Sequence, residues 1–282
     1  MKTVNTIDAL RHTISTWRKS GERIAFVPTM GNLHDGHLAL IDEAKKQAGR
    51  TVASIFVNPL QFGEGEDFET YPRTMVEDSS QLTSRGVDLL FAPPVEVMYP
   101  QAQQQQTRVE VPEVSHILDG EFRPGFFVGV ATVVCKLFNM VQPDIAIFGE
   151  KDFQQLHIIK RMVEDLQMPV EIAASATVRE PDGLAMSSRN GYLDREQRKT
   201  APLIYRCLQQ AVDEIKRGED DYAHLERVAR VTLEDAGFVV DYFTLRNAET
   251  LNPAKAGESN LVILTAARLG QTRLIDNIVL SQ

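Results

Sequence analysis

The sequence predicts an open, doubly wound parallel α/β sheet followed by a smaller α+β domain. Near-continuous apolar runs of strand length alternate with amphipathic helical stretches through residue 177, as stacked βαβ units require. Beyond a polar segment the order changes to helices followed by strand-like runs. The first pattern makes the N-terminal part Rossmann-like.

In chain order, Ile7, Leu10, Ile14 and Trp17 recur at helical spacing behind Thr6, a candidate N-cap, and ERIAFVPTM follows as a buried strand. GNLHDGH is a glycine-containing loop, LALIDEAKKQA an amphipathic helix ended by Gly49, and TVASIFVN a second buried strand. Together they form a βαβ unit with a right-handed crossover. Thr74 and Glu77 have capping-box spacing ahead of a helix that leads to the strand GVDLLFAP. The polar stretch QAQQQQ reads as an exposed loop; GVATVVCKLFNMV is then helical, PDIAIFG a strand, QLHIIKRMVEDL a helix and VEIAASATV a strand. Pro, Asp, Gly and Ser crowd into VREPDGLAMSSRNGYLD, which sets a boundary between residues 1–177 and 178–282. Asp194 then caps a helix whose apolar stripe includes Leu203, Ile204, Cys207, Leu208, Ala211, Val212 and Ile215. A second helix spans LERVARVTLEDAG, and VVDYFTLRN, NLVILTAARL and TRLIDNIVL are strands.

Composition narrows the function. With 43% hydrophobic and 24% charged residues the chain can bury a core and lacks a disordered signature. No run approaches the ~18 apolar residues of a membrane helix, and the first residues lack a signal-like apolar core, so a cytoplasmic protein with no membrane partner is expected. The net charge of -9 argues against a nucleic-acid surface. Cys135 and Cys207 lie in apolar-periodic segments and read as core residues rather than as a disulfide or a zinc site.

In an open α/β sheet the ligand lies beyond the carboxyl ends of the strands, so polar clusters there carry most weight. His34 and His37, in PTMGNLHDGH, stand at a helix entry where backbone N–H groups and the helix dipole favour an anion, suiting nucleotide phosphates. In FGEKDFQQLH, Lys151 can neutralise phosphate and Asp152 can hold hydrated magnesium. The hydroxyls and guanidinium of MSSRN, residues 186–190, can grip a triphosphate, although a plain polar turn fits equally well. Asn58 and Gln61 can orient a hydroxy acid. Glu64, Glu66, Asp67 and Glu69 read as a solvated acidic loop, and Arg123 as either a carboxylate partner or a surface residue. The acceptor remains open on these grounds: another nucleotidyltransferase or a non-catalytic nucleotide sensor would share the paired histidines.

These clusters, with FVNPLQF, YPRT, RPGFFVGVATVV and FGEKDFQQL in order, resemble the pantoate–β-alanine ligase family over nearly the whole chain. PTMGNLHDGH is similar to the HIGH signature of adenylate-forming nucleotidyltransferases and MSSRN to their KMSKS segment. The resemblance implies condensation of (R)-pantoate with β-alanine in pantothenate and coenzyme A biosynthesis, with ATP and Mg²⁺, a pantoyl-adenylate intermediate and a homodimer. It implies ATP contacts from Met30, Gly31, Asn32, Leu33, His34, Asp35, Gly36 and His37, with His37 as proton donor. Further ATP contacts are implied for Gly149, Glu150, Lys151, Asp152, Val178, Met186, Ser187, Ser188 and Arg189. Gln61 and Gln155 would hold pantoate, joined by Asn58, and Gln61 would also meet β-alanine. His34 and Lys151 would join His37 in catalysis, and Asp152 would meet the metal directly or through water. Residues 1–177 would then bind nucleotide and pantoate, with 178–282 as a lid. Phe126 departs from the family, many of whose members carry His there, so it is assigned no polar role.

Overall fold

The computed structural model describes residues 1–63, 65–101 and 105–281. Half of the QAQQQQ stretch, residues 102–104, and Glu64 lie outside the described residues. The chain divides into two compact units, Met1–Glu150 with Gln154–Ala176, and Thr177–Gln282 with Lys151–Phe153.

The first unit is a six-stranded parallel sheet. Its strands are β1 (Lys2–Val4), β2 (Ile24–Thr29), β3 (Arg50–Ile55), β4 (Leu89–Phe91), β5 (Ile145–Gly149) and β6 (Glu171–Ser175), in the order β1-β4-β3-β2-β5-β6. Helices α1 (Ile7–Lys19), α2 (Asp35–Gln47), α3 (Met75–Ser84), α4 (Val95–Met98), α5 (Asp119–Phe122), α6 (Phe126–Val141) and α7 (Phe153–Asp165) connect them. The near-continuous apolar strands are explained by burial on both faces. Ile24, Phe26, Leu89, Phe91, Ala146 and Phe148 pack with residues of α1, α6 and α7, whereas Ala25, Val27, Leu90, Ile145 and Ile147 pack with residues of α2 and α3. Thr6 caps α1 as expected, accepting from the Ala9 N–H at 3.3 Å.

Strand order reverses at β2, whose sequential partner β3 lies on one side and β5 on the other. The Thr29 carbonyl accepts from Phe56 N and the Ile24 carbonyl from Asp144 N, so the even-numbered residues of β2 turn their peptide groups toward β5. Pro28 therefore lacks its N–H on the β5 side, and pairing with β5 ends at Phe26↔Ala146 while pairing with β3 runs on to Thr29↔Ile55. Strands β2 and β5 part at their carboxyl ends, which is where a doubly wound sheet holds its ligand.

In the second unit α8 (Arg195–Thr200), α9 (Leu203–Lys216) and α10 (Tyr222–Asp235) precede the antiparallel strands β7 (Phe238–Asn247), β8 (Asn260–Leu269) and β9 (Thr272–Ser281). Asp194 caps only the short α8, in a reciprocal box with Gln197, and not the helix carrying the apolar stripe. Pro202 separates the two: it has no N–H to continue α8, and α9 starts after it. Cys207 is 3% exposed in this core, and burial pushes its thiol up to about 11. Among the described residues no helix is long and apolar enough to cross a membrane.

Candidate active site

Beyond β2 the chain turns through Gly31 and Asn32, at φ 84° and 50°. Asp78, near the start of α3 and 1% exposed, shapes this turn. Its carboxylate accepts from the backbone N–H of Asn32 at 2.9 Å and Leu33 at 2.8 Å, and from the Thr74 hydroxyl at 3.2 Å. A Cβ on Gly31 would stand 2.9 Å from Asp78 Oδ2 and 3.1 Å from Ile55 Cγ2, so the approach requires glycine. The capping box expected of Thr74 and Glu77 is not formed, because the Thr74 hydroxyl is committed to Asp78.

This turn delivers His34 as the N-cap of α2. His34 Nδ1 accepts from Gly36 N at 3.1 Å, and His37 Nδ1 accepts from His34 N at 3.4 Å, with ring centroids 4.1 Å apart. In a neutral imidazole the accepting nitrogen carries no proton, so the proton of each ring sits on Nε2. The capping role and the functional role read from the sequence therefore coexist: Nδ1 satisfies the helix start, and Nε2–H is a donor at the positive end of a helix dipole.

The neutral amides divide their tasks. Asn58, 1% exposed, uses all four hydrogen-bonding positions internally. Its Oδ1 accepts from Leu60 N at 3.2 Å and Tyr99 OH at 2.8 Å, and its Nδ2 donates to Gln61 Oε1 and the Gly129 carbonyl, both at 3.1 Å. The direct contact with a hydroxy acid expected of Asn58 thus becomes a positioning role, because nothing of its amide is left over. A Cβ on Gly129 would lie 2.2 Å from the Leu60 carbonyl, so α6 packs backbone to backbone against this turn. Gln61 Nε2 donates to Met30 Sδ at 2.9 Å, a weak acceptor that an incoming oxygen can displace. Gln154 is buried and holds the loop before α5 through Asp119 N, Val114 O and Ile117 O, whereas the side chain of the partly exposed Gln155 makes no hydrogen bond among the described residues.

Arg123 is not a surface residue. Its guanidinium grips Glu66 bidentately at 2.7 and 2.6 Å, donates to the Gln61 carbonyl at 3.3 Å, and stacks 3.7 Å over the Phe126 ring. Glu66 is accordingly an ion-pair partner and not part of a solvated acidic loop, and Phe126 gains a stacking role.

At the end of β5, Gly149 leads into a 3-10 turn, Glu150–Asp152. Lys151 Nζ stands 3.9 Å from Asp152 Oδ2, with side chains 19% and 47% exposed. The Lys151 carbonyl accepts from Asn277 Nδ2 at 2.9 Å. Within the same unit, Met186 N donates to the Val178 carbonyl at 3.0 Å, bringing those two expected nucleotide contacts together around a turn at Asp182 and Gly183. Ser187 Oγ accepts from Arg189 N and Asn190 Nδ2 donates to the Ala185 carbonyl, so the 186–190 segment is a capped turn. Its lead-in is fixed by Arg179, which pairs with Asp276 at 2.6 and 2.9 Å. Burial pushes the Asp276 carboxyl up from its ordinary range, and Arg179 opposes that shift. Among the described residues no three His, Cys, Asp or Glu side chains gather as a metal site.

The structure thus groups Met30 to His37 with Asn58 and Gln61 in one unit, and Lys151 and Asp152 with Val178 and the 186–189 turn in the other. Asp78, Tyr99, Gln154, Arg179 and Asn277 were not anticipated. Asp276–Asn277 left a signal, two polar residues inside the apolar run TRLIDNIVL, while Asp78 looked like an ordinary acidic residue in a helix's first turn.

A family model described as pantoate-beta-alanine ligase matches residues 2–279. The chain belongs to the pantoate–β-alanine ligase family. Pantothenate synthetase from Pseudomonas fluorescens is 56% identical over 281 residues, covering 100% of this chain and 98% of that protein. That from Shewanella halifaxensis is 53% identical, covering 100% and 99%. The crystal structure of the Thermus thermophilus enzyme matches with a TM-score of 0.94 at 46% identity over both whole chains. A Francisella tularensis pantoate–β-alanine ligase, complexed with beta-gamma ATP and β-alanine, matches with a TM-score of 0.81 at 34% identity over 99% and 97% of the chains. As a member of this family the chain is a ligase with an α/β fold.

Proposed function

We infer that this protein condenses (R)-pantoate with β-alanine at the expense of ATP, giving pantothenate, AMP and pyrophosphate through pantoyl-adenylate. The observation that carries the reading is the His34–His37 pair at the start of α2, in a chain of this family. A carboxylate is a poor electrophile toward an amine. Attack of a pantoate carboxylate oxygen on the α-phosphorus breaks the bond to pyrophosphate and leaves an acyl-adenylate. The β-alanine amine then attacks the acyl carbon, AMP departs, and the amine releases a proton.

The protein's work is to hold two anions together and to stabilise charge moving onto pyrophosphate. The Nε2–H groups of His34 and His37 donate to phosphate oxygens, with His37 as proton donor, and the Met30–His37 backbone lines the nucleotide. Lys151 adds positive charge, joined by Ser187, Ser188 and Arg189, while Gly149, Glu150, Val178 and Met186 border ATP. Gln61 and Gln155 hold pantoate, and Gln61 also meets β-alanine. Mg²⁺ suits the exposed Asp152 carboxylate, because this ion is commonly held by one carboxylate together with substrate phosphates and water. Held there, the ion would supply positive charge against the phosphates. The reading includes a homodimer in the cytoplasm, and sedimentation equilibrium tests the dimer.

Pyrophosphate release is measured with ATP, Mg²⁺ and (R)-pantoate, before and after β-alanine. Pantoate-dependent release, with pantothenate detected by mass once β-alanine is present, is expected. ATP binding without pantoate-dependent release would overturn the reading.

A further inference from the structure

Strand β9 carries two polar residues in sequence, Asp276 and Asn277, at 2% and 5% exposure within an otherwise apolar run. Buried polar groups persist where they are bonded, and these are. Asp276 holds both terminal nitrogens of Arg179 and accepts from Asn277 N at 2.7 Å. Arg179 also donates to the carbonyls of Gly183 and Asn277 and stacks 3.7 Å over Tyr205. Asn277 in turn donates from Nδ2 to the Lys151 carbonyl at 2.9 Å, and Lys151–Phe153 cluster with this unit rather than with the sheet that precedes and follows them in the chain.

One strand thus grips two segments far apart in sequence: the Glu150–Asp152 turn through Asn277, and the base of the 178–186 turn through Asp276. We propose that Asp276 and Asn277 are positioning residues for adenylation, Asn277 setting the place of the Lys151 backbone and Asp276 the lead-in to the 186–189 turn, so that both phosphate-facing segments are held as one body. The proposal rests on the reading that Lys151 acts on the ATP phosphates. A lysine side chain is long and flexible, so its reach depends on where its own peptide group is fixed. A displacement of about an ångström in a positioning group can cost on the order of 10²-fold in rate.

The test is a double-mutant cycle on the full chain with Lys151→Ala and Asn277→Ala, and Asn277→Asp as a variant that removes the donor without removing volume. Pantoate-dependent pyrophosphate release and urea unfolding are followed for each. Expected is a fall in kcat of about 10- to 100-fold for Asn277→Ala and Asn277→Asp, with the pantoate KM within about twofold; the unfolding midpoint falls as well, because the buried Lys151 carbonyl loses its donor, but both variants remain folded at the assay temperature. Added to Lys151→Ala, Asn277→Ala should cause no further loss. Wild-type kcat in both Asn277 variants while Lys151→Ala is inactive would overturn the proposal, as would losses that multiply in the double variant. Near-wild-type turnover in Lys151→Ala would instead remove the reading of Lys151 on which it rests.

Discussion

The turn before α2 and the turn at residues 186–190 are both proposed here to meet phosphate, yet they are shaped differently. The first takes its form from a single buried carboxylate reaching over from another helix: Asp78 engages two consecutive backbone N–H groups, with Gly31 and Asn32 in left-handed conformations beside it. The second is held by short-range bonds of its own, Ser187 to Arg189 and Asn190 to Ala185, on a lead-in that Arg179 ties to Asp276. A structure built on one charge is stiff and fails as a whole, whereas one built from several local bonds loses them singly.

The largest effect should separate chemistry from scaffolding in both turns. His37→Ala and Lys151→Ala should each lower pantoate-dependent pyrophosphate release by about 10²- to 10³-fold, with the urea midpoint little changed for Lys151→Ala and a loss of about 1 kcal/mol or less for His37→Ala, which gives up one bond of the α2 capping box; near-wild-type turnover in either would remove that residue from the mechanism. Next comes the carboxylate. Asp78→Ala strands two backbone donors and should cost about 3 kcal/mol in urea unfolding, and it should weaken ATP binding by calorimetry. A loss below about 1 kcal/mol would show that the first turn holds itself, which would erase the contrast. Ser187→Ala should cost about 1 kcal/mol or less, because one local cap is lost while Asn190 remains, and a loss as large as that of Asp78→Ala would reverse the comparison. The smallest effect belongs to Asp182, whose carboxyl the Arg198 guanidinium holds below its ordinary range. The contribution of that pair is present above the ordinary carboxylate range and is lost as pH falls through the lowered value. The stability difference between wild type and Asp182→Asn should therefore be a few tenths of a kcal/mol at neutral pH, since the pair is exposed, and should vanish in acid.

Much of this was legible in the sequence for a physical reason. Strands buried on both faces write themselves as apolar runs, so ERIAFVP and PDIAIFG were readable as buried strands, and the polar clusters after them as the candidate site. What local pattern could not show was partnership across the chain. Asp78, on a polar-looking segment, and Asn58, at the end of an apolar run, are polar residues whose meaning lies in groups brought to them by folding. Glu66 looked solvated because Arg123 is far away in sequence. The adjacent Gln154 and Gln155 are indistinguishable by type, and only burial assigns one to the scaffold and leaves the other open. The break at Pro202 was readable from its ring chemistry, yet the apolar stripe beyond it disguised two helices as one.

Pro28 shows how little it takes to open a binding crevice. No bulky wedge is needed to force the strands apart; a ring where a hydrogen would be leaves the next rung of the ladder without a donor, and the gap begins there. Every other amino acid at this position would restore the means to zip β2 and β5 one step further. The opening is therefore a property of backbone chemistry, insensitive to how the surrounding side chains are exchanged.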